Sequence, residues 1–342
     1  MSTNLALVLP AANEPLRIEQ RPIPTPGAGQ LLIKIHAAAL NPLDCYMASV
    51  GAFVESWPHI LGEDYAGEVV EVGAGVSGWS KGDRIMYTDL KGSFQQYQVI
   101  PAEFTFKLPS NISYDEAATT PMTLATGFVG LFANSPLGVG LNPTFSRNQP
   151  QKGQSALVIG GSTSVGQFVI QQLKFLGFTT VVAYASARHA EYLKTLGATE
   201  VIDRNTVPLN NLPSTLARQF NVVYDAVSAG DSFKTSVASL GPGGKVVFVL
   251  TPPDEIYEKL SSEGKTWARV YGFTHRFTPG HDEFGRLQVE HVPKLLEEGI
   301  IKPNRFEVLP GGLRGVADGL ERLRAGKVSG VKLVVHPYET EL

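Results

Sequence analysis

The sequence predicts a two-domain α/β chain: a barrel-like β domain joined to a doubly wound parallel sheet. Three observations predict it. The chain has 342 residues, more than one usual domain of roughly 150. Its first 110 residues read as short strands broken by turns, and after residue 154 strands alternate with helices. A glycine-rich turn, Gly160 to Gly166, joins the first of those later strands to a helix.

The elements follow from periodicity. Gln30 to His36 and Gly67 to Val72 alternate apolar and polar residues as strands. Gly73, Gly75 and Gly78 punctuate a loop, and Lys81-Gly82-Asp83-Arg84-Ile85 turns into a further strand. Tyr114 to Ala133 reads as helix, and Asn134 to Gly153 as a long surface loop rich in Pro, Asn, Gly and Ser. That loop either caps a site or is a plain insertion. Strands are predicted at Ser155–Ile159, Thr179–Tyr184, Glu200–Asp203, Asn221–Ala226 and Lys245–Leu250. Helices are predicted from the glycine turn to Gly177 and over Ala187–Gly197. Two more fall at His291–Gly299 and Gly315–Ala325, before a final strand, Val331–His336.

Composition narrows the function classes. Glycine (35) and proline (23) together make about 17 % of the chain, against a background near 12 %, which suits many tight loops. A net charge of −3 argues against a nucleic-acid surface and a polybasic membrane anchor. No run approaches 18 apolar residues, and the N-terminus, broken by Pro10 and Pro15, lacks the pattern of a signal peptide, so a cytoplasmic location is expected. Cys45 is the sole cysteine, which excludes an intrachain disulfide and a multi-cysteine metal site. The seven histidines form no HxH or HExxH motif, and His275, His281 and His291 read as surface or loop residues.

The turn Gly160-Gly161-Ser162-Thr163-Ser164-Val165-Gly166 departs from GxGxxG at Thr163, yet its strand–turn–helix setting points to a dinucleotide phosphate. Ser162, Thr163 and Ser164 add hydroxyl donors. The competing reading is an ordinary glycine loop. No Gly-Lys-Ser/Thr follows, so the turn is no Walker A loop. The literal GxSxG match, Gly78 to Gly82, sits in a β-domain loop and is read as chance. After the second strand stands Tyr184-Ala185-Ser186-Ala187-Arg188-His189, with no carboxylate to hold a ribose 2′-hydroxyl. Ser186 and Arg188 suit a 2′-phosphate instead, which favours NADP(H); a solvated helix-start Arg188 is the alternative.

Together these features resemble the medium-chain dehydrogenase/reductase superfamily over nearly the whole chain. The resemblance is carried by Leu61 to Gly73 (LGEDYAGEVVEVG), Lys81-Gly82-Asp83-Arg84, Thr126-Gly127, the glycine turn, and Gly330-Val331-Lys332-Leu333-Val334. It implies a GroES-like catalytic domain from residues 1–118 and 275–342, and a Rossmann NADP-binding domain over 119–274. Where zinc alcohol dehydrogenases carry Cys and His ligands, Asn41 and Glu63 stand here, and Met122 falls near the third ligand position. The four-cysteine structural lobe is absent. The chain therefore resembles a zinc-independent member, of the quinone oxidoreductase and fungal enoyl reductase branch.

The run Asn41-Pro42-Leu43-Asp44-Cys45-Tyr46 carries the finer resemblance. It implies that Asn41 and Tyr46 line the nicotinamide pocket as the catalytic residues. Tyr46 then hydrogen-bonds the substrate carbonyl or supplies a proton, a packed aromatic being the alternative. By the same resemblance His189 and Arg204 meet the 2′-phosphate. Leu250 and Thr251 follow the fifth strand where the family contacts nicotinamide, and Lys332 joins the cofactor set. Trp57, Met122 and Phe273 are candidates for the substrate pocket, with Phe53; plain core is the other reading. Asp44 and Asp225 read as structural.

The function expected is NADPH-dependent reduction, without a metal, of activated C=C bonds in enones or enoyl thioesters, or of quinones. Hydride addition to such a system leaves its charge delocalised onto oxygen, so a Lewis acid is dispensable. The alternative is a nucleotide-binding partner of a biosynthetic complex with no turnover of its own. Expected partners are a small-molecule substrate and, through the fungal resemblance, a polyketide synthase, the chain itself being monomer or homodimer.

Overall fold

A computed structural model describes residues 3–148, 151–273, 275 and 279–341. The chain begins with β1 (Thr3–Leu9), β2 (Arg17–Pro22), β3 (Gln30–Ala39), α1 (Pro42–Val50), β4 (His59–Ile60), β5 (Asp64–Val72), β6 (Arg84–Thr88), β7 (Tyr97–Pro101) and β8 (Phe106–Lys107). Two helices follow, α2 (Tyr114–Ala118) and α3 (Pro121–Phe132). Strands and helices then alternate: β9 (Ser155–Ile159), α4 (Ser164–Phe175), β10 (Thr180–Ala185), α5 (Ala190–Leu196), β11 (Glu200–Asp203), α6 (Leu212–Leu216), β12 (Phe220–Asp225), α7 (Ser232–Ala238), β13 (Leu240–Phe248), α8 (Asp254–Ser262) and β14 (Thr266–Arg269). The chain closes with α9 (His281–Glu297), β15 (Phe306–Val308), α10 (Gly315–Arg324) and β16 (Lys332–Val335).

These elements form two compact units, one from residues 1–122, 289–298 and 303–342, the other from 123–288 and 299–302. Residues 119–122, 275–288 and 299–302 thus lie on the other side of the boundaries expected from sequence. In the first unit a seven-stranded sheet runs β15-β16-β3-β5-β6-β8, with β7 also paired to β3. The alternation in β3 sends Leu31, Ile33 and Ile35 into a core shared with Tyr65, Val69, Tyr87 and Phe94. Register shifts at Leu32/Ile33 and Ile35/Ala37 interrupt the β3–β5 ladder, as bulges do where a sheet curves. A small sheet, β2-β1-β4, completes this unit.

In the second unit six strands pair in the order β11-β10-β9-β12-β13-β14, all parallel. Ala156 to Ile159 in central β9 are at most 1 % exposed, as expected of a strand covered on both faces. This order is the doubly wound 3-2-1-4-5-6 arrangement, whose direction reverses between β9 and β12. Ligands bind such sheets beyond the carboxyl ends of the strands at that reversal.

Four local expectations change. The predicted helix over 114–133 is two helices, because Pro121 cannot continue the first and Ser113 and Glu116 form a capping box on α2. The helix placed at 291–299 starts ten residues earlier, at His281. The segment 134–153, of which Gln149 and Pro150 lie outside the described residues, is not a surface loop throughout. Val139, Leu141 and Phe145 are buried, and Phe145 packs on Phe128, Phe132 and Phe284. His275 and His281 are buried too, with His281 Nε2 2.7 Å from the Phe273 carbonyl.

Candidate active site

The glycine turn lies where the doubly wound order places a ligand, between β9 and α4. Gly160 has φ = +78°, a region glycine adopts freely, and the N–H groups of Gly160 and Gly161 both donate to the Tyr184 carbonyl (3.0 and 3.1 Å). A Cβ on Gly161 would sit 2.8 Å from Ala183 Cβ, and one on Gly166 would strike the Gly160 carbonyl. These glycines therefore let helix and strand approach closely, as a nucleotide-binding turn requires. Thr163 is the N-cap of α4, its Oγ1 accepting from Gly166 N at 3.0 Å. Ser162, Thr163, Ser164 and Val165 are half-exposed, so helix amides and hydroxyls face outward together.

Beyond β10, Ser186 precedes a short 3-10 turn (Ala187–His189). Arg188 and Arg204 are exposed, and Arg188 Nε donates to His189 Nε2 at 3.2 Å. The structure adds two residues that sequence reading missed, Asp203 and Asn205. Asp203 Oδ1 accepts from the N–H groups of Ala187 and Asn205 and from Asn205 Nδ2, each at 3.1 Å. Asn205 Nδ2 also reaches Ser186 Oγ at 3.3 Å. The signal was the parallel order itself, which pairs Ala185 with Asp203 and sets the ends of β10 and β11 side by side. One carboxylate thus does stand beside the two guanidiniums, spent on ordering the turn.

At the other side of the reversal, Asp225 closes β12. Its Oδ1 accepts from Val227 N (3.0 Å) and Ser228 N (2.7 Å), and burial pushes its carboxyl up. Ser228 Oγ in turn accepts from Val249 N at 2.9 Å, fixing the chain just before Leu250 and Thr251, which are exposed at the end of β13. Phe273, in the same unit, is buried.

In the first unit the remaining candidates gather around α1. Its N-cap, Asn41, is 2 % exposed, and Asn41 Nδ2 donates to Glu63 Oε2 (3.0 Å) and Asp64 Oδ2 (3.1 Å). Both amide hydrogens are spent, so Asn41 has none to offer a substrate carbonyl. Asp44 closes a capping box, accepting from Asn41 N (2.7 Å) and, across to the β5 approach, from Gly62 N (2.8 Å). Asp64 Oδ1 accepts from Met122 N at 2.8 Å, while Oδ2 is ion-paired with the buried ammonium of Lys332. Sequence placed Lys332 with the cofactor; at 4 % exposure its ammonium is committed to Asp64. Met122 is buried, whereas Trp57 (39 %) and Tyr46 (52 %) are exposed.

Three carboxyl groups and one ammonium share this interior. Burial, then the nearby charges of Asp44 and Asp64, hold the Glu63 carboxyl well above its usual range, and burial lifts Asp44 to about 7 against two backbone donors. Both carboxyls are thereby biased toward their neutral forms, Glu63 the more strongly. Cys45, half-buried on α1, has its thiol pushed up to about 11 by burial, which makes it a poor nucleophile and metal ligand.

The chain matches the alcohol dehydrogenase GroES-like domain over residues 27–110 and the zinc-binding dehydrogenase domain over residues 164–279. A dehydrogenase of Aspergillus niger, azaJ, is 35 % identical across 98 % of this chain and 99 % of its own. The enoyl reductase component of the lovastatin nonaketide synthase, lovC, of Aspergillus terreus is 31 % identical across 92 % of this chain and 91 % of its own. Among solved structures, a mycobacterial quinone oxidoreductase superposes with a TM-score of 0.75 at 26 % identity, covering 98 % of this chain and all of that one. A mycobacterial protein complexed with NADPH, Rv1454c, gives 0.77 at 25 % identity with the same coverage. The second domain's name raises zinc, and the residues present do not fit it. No group of three His, Cys, Asp or Glu among the described residues is arranged to hold a metal. Asp64 already holds the Lys332 ammonium and the Met122 N–H, and Asn41 donates to both Asp64 Oδ2 and Glu63 Oε2. With these two domains matched over residues 27–110 and 164–279, and a relative 35 % identical across 98 % of the chain, the chain belongs to the medium-chain dehydrogenase/reductase family of oxidoreductases.

Proposed function

We propose that the protein is an NADPH-dependent reductase of activated C=C bonds, enones or enoyl thioesters, with quinones as the neighbouring class. The observation that carries the cofactor is the juxtaposition of a capped glycine turn with Ser186 and the exposed guanidiniums of Arg188 and Arg204. The turn, Gly161 to Gly166, holds the pyrophosphate through helix amides and hydroxyls. Ser186, Arg188, His189 and Arg204 hold the 2′-phosphate, since bidentate guanidinium–phosphate contacts are strong and NADH has no such group. Leu250 and Thr251 flank the nicotinamide. NADPH bound there supplies the hydride.

The residues of α1 supply the rest. Tyr46, exposed on α1, either donates its phenolic O–H to the substrate carbonyl and stabilises the charge that develops there, or gives that proton to the α-carbon as general acid and is reprotonated from solvent. Asn41 contributes by position, as the cap that anchors α1. Trp57, exposed in the first unit, gives an apolar wall to the acyl or ring portion. The chemistry needs no Lewis acid, because the charge that hydride addition leaves is delocalised onto the substrate oxygen. Names among the relatives, lovC above all, support a carrier-bound acyl substrate presented by a polyketide synthase.

Steady-state assays with NADPH against 1,4-quinones, enals and enoyl thioesters test this reading. Consumption of NADPH with an enoyl thioester or enal is expected. Tight NADPH binding without reduction of any acceptor would favour a nucleotide-binding partner protein instead.

A further inference from the structure

The Lys332–Asp64 pair joins four pieces of chain that are far apart in sequence. Lys332 begins β16 and Asp64 begins β5. Through Oδ2 Asp64 also holds the side chain of Asn41, the cap of α1, and through Oδ1 the backbone of Met122 at the start of α3. The side chains are 3 % and 0 % exposed, so solvent does not screen the attraction. Asp44 and Glu63 face Asp64, and the Cys45 thiol, on the next turn of α1, faces Asp44, Glu63 and the Arg324 guanidinium. Lys332 is the cation against which these acids are balanced. Without it, Asp64 has no counter-charge, and Asn41 loses its reason to point both N–H groups inward.

We propose that Lys332 is a positioning residue: its ammonium, locked on Asp64, fixes Asn41 and the first turn of α1, and so sets the orientation of Tyr46. This rests on the reading of Tyr46 as the residue that meets the substrate carbonyl. It reassigns Lys332 from cofactor contact to internal counter-ion. It also gives a reporter inside the same helix, because Cys45 is the sole cysteine of the chain and its Sγ lies 3.6 Å from the Leu320 carbonyl on α10. A thiol held this way alkylates slowly; a loosened α1 exposes it.

The test compares the native protein with Lys332→Met, which keeps the side-chain bulk and removes the charge, and with Asp64→Asn, which leaves an acceptor for Met122 and removes the opposite charge. Three quantities are read below the melting temperature: the iodoacetamide alkylation rate of Cys45, kcat with the best acceptor, and Kd for NADPH by fluorescence. Either variant should raise the alkylation rate at least tenfold and lower kcat at least tenfold, with Kd for NADPH within twofold of native. Lys332→Gln, whose amide can still donate to Asp64, should recover part of both losses. Native alkylation and native kcat in Lys332→Met would overturn the proposal. So would a rise in Kd for NADPH that matches the loss in kcat, since that marks a direct cofactor contact. If the native protein itself shows no turnover, the reading of function fails, while Cys45 alkylation still decides whether Lys332 holds α1.

Discussion

Replacing Glu63 by Gln should flatten the dependence of stability on pH. Glu63 is fully buried, and burial with the Asp44 and Asp64 charges holds its carboxyl in the folded state well above the value near 4.3 at which it ionises in the unfolded chain. A group whose folded pKa is raised contributes stability that is complete below the unfolded pKa and is lost as pH climbs toward the folded one. The loss is about 1.4 kcal/mol per pH unit in that window. Above pH 5 the native protein should therefore lose stability as pH rises, and the Gln variant, isosteric with the neutral acid, should lose less. Asp44, lifted to about 7 and in contact with Glu63, adds a slope of the same sign, so the flattening reports on the pair of carboxyls together. Urea unfolding followed by tryptophan fluorescence at pH 5, 6 and 7 measures it. Parallel stability curves for native and variant would show that Glu63 is ionised in the fold and would refute the charge assignment of the cluster.

Arg188→Ala should raise the KM for NADPH about 10- to 100-fold, the size of one charge-assisted contact, and leave that for NADH unchanged; equal effects on both would remove the 2′-phosphate role. Tyr46→Phe should lower kcat about 100-fold with NADPH affinity intact, as expected for loss of a general acid, and a native kcat would make Tyr46 a wall of the pocket only. His336 lies between Asp115 (2.7 Å) and Glu339 (2.9 Å), and although burial opposes it, those two carboxylates raise its pKa. Its contribution is complete below about 6.5 and fades as pH rises through the folded value, so the stability gap between native and His336→Asn should narrow from pH 6 to pH 8. A gap that widens over that range would contradict the pairing.

What was legible in the sequence was local. The strand, glycine turn and helix at 155–177 lie within one stretch of chain, and each residue's type reports its own backbone setting, as Gly160 and Thr163 do. The substitution of zinc ligands was equally readable, because it concerns residue chemistry. The acid cluster was not, since Lys332 and Asp64 are 268 residues apart and nothing in either neighbourhood announces the other. Asp203 is hidden for a similar reason: it stands on the strand adjacent to β10 and reaches the turn only through the pairing of the two strands. The segment 134–153 misled because its polar and turn-forming residues outnumber Val139, Leu141 and Phe145, yet those three decide its burial. β14 was passed over because Thr-Trp-Ala-Arg is short and carries no clear period.

The most direct measurement is the fate of the hydride. NADPH deuterated at C4 of the nicotinamide, incubated with the protein and an α,β-unsaturated thioester in ordinary water, should give a saturated product with deuterium at the β-carbon and a solvent proton at the α-carbon. Mass spectrometry and NMR of the product locate both. Unchanged thioester with undiminished NADPH, or deuterium found at the carbonyl carbon as in alcohol formation, would contradict a reductase of activated double bonds.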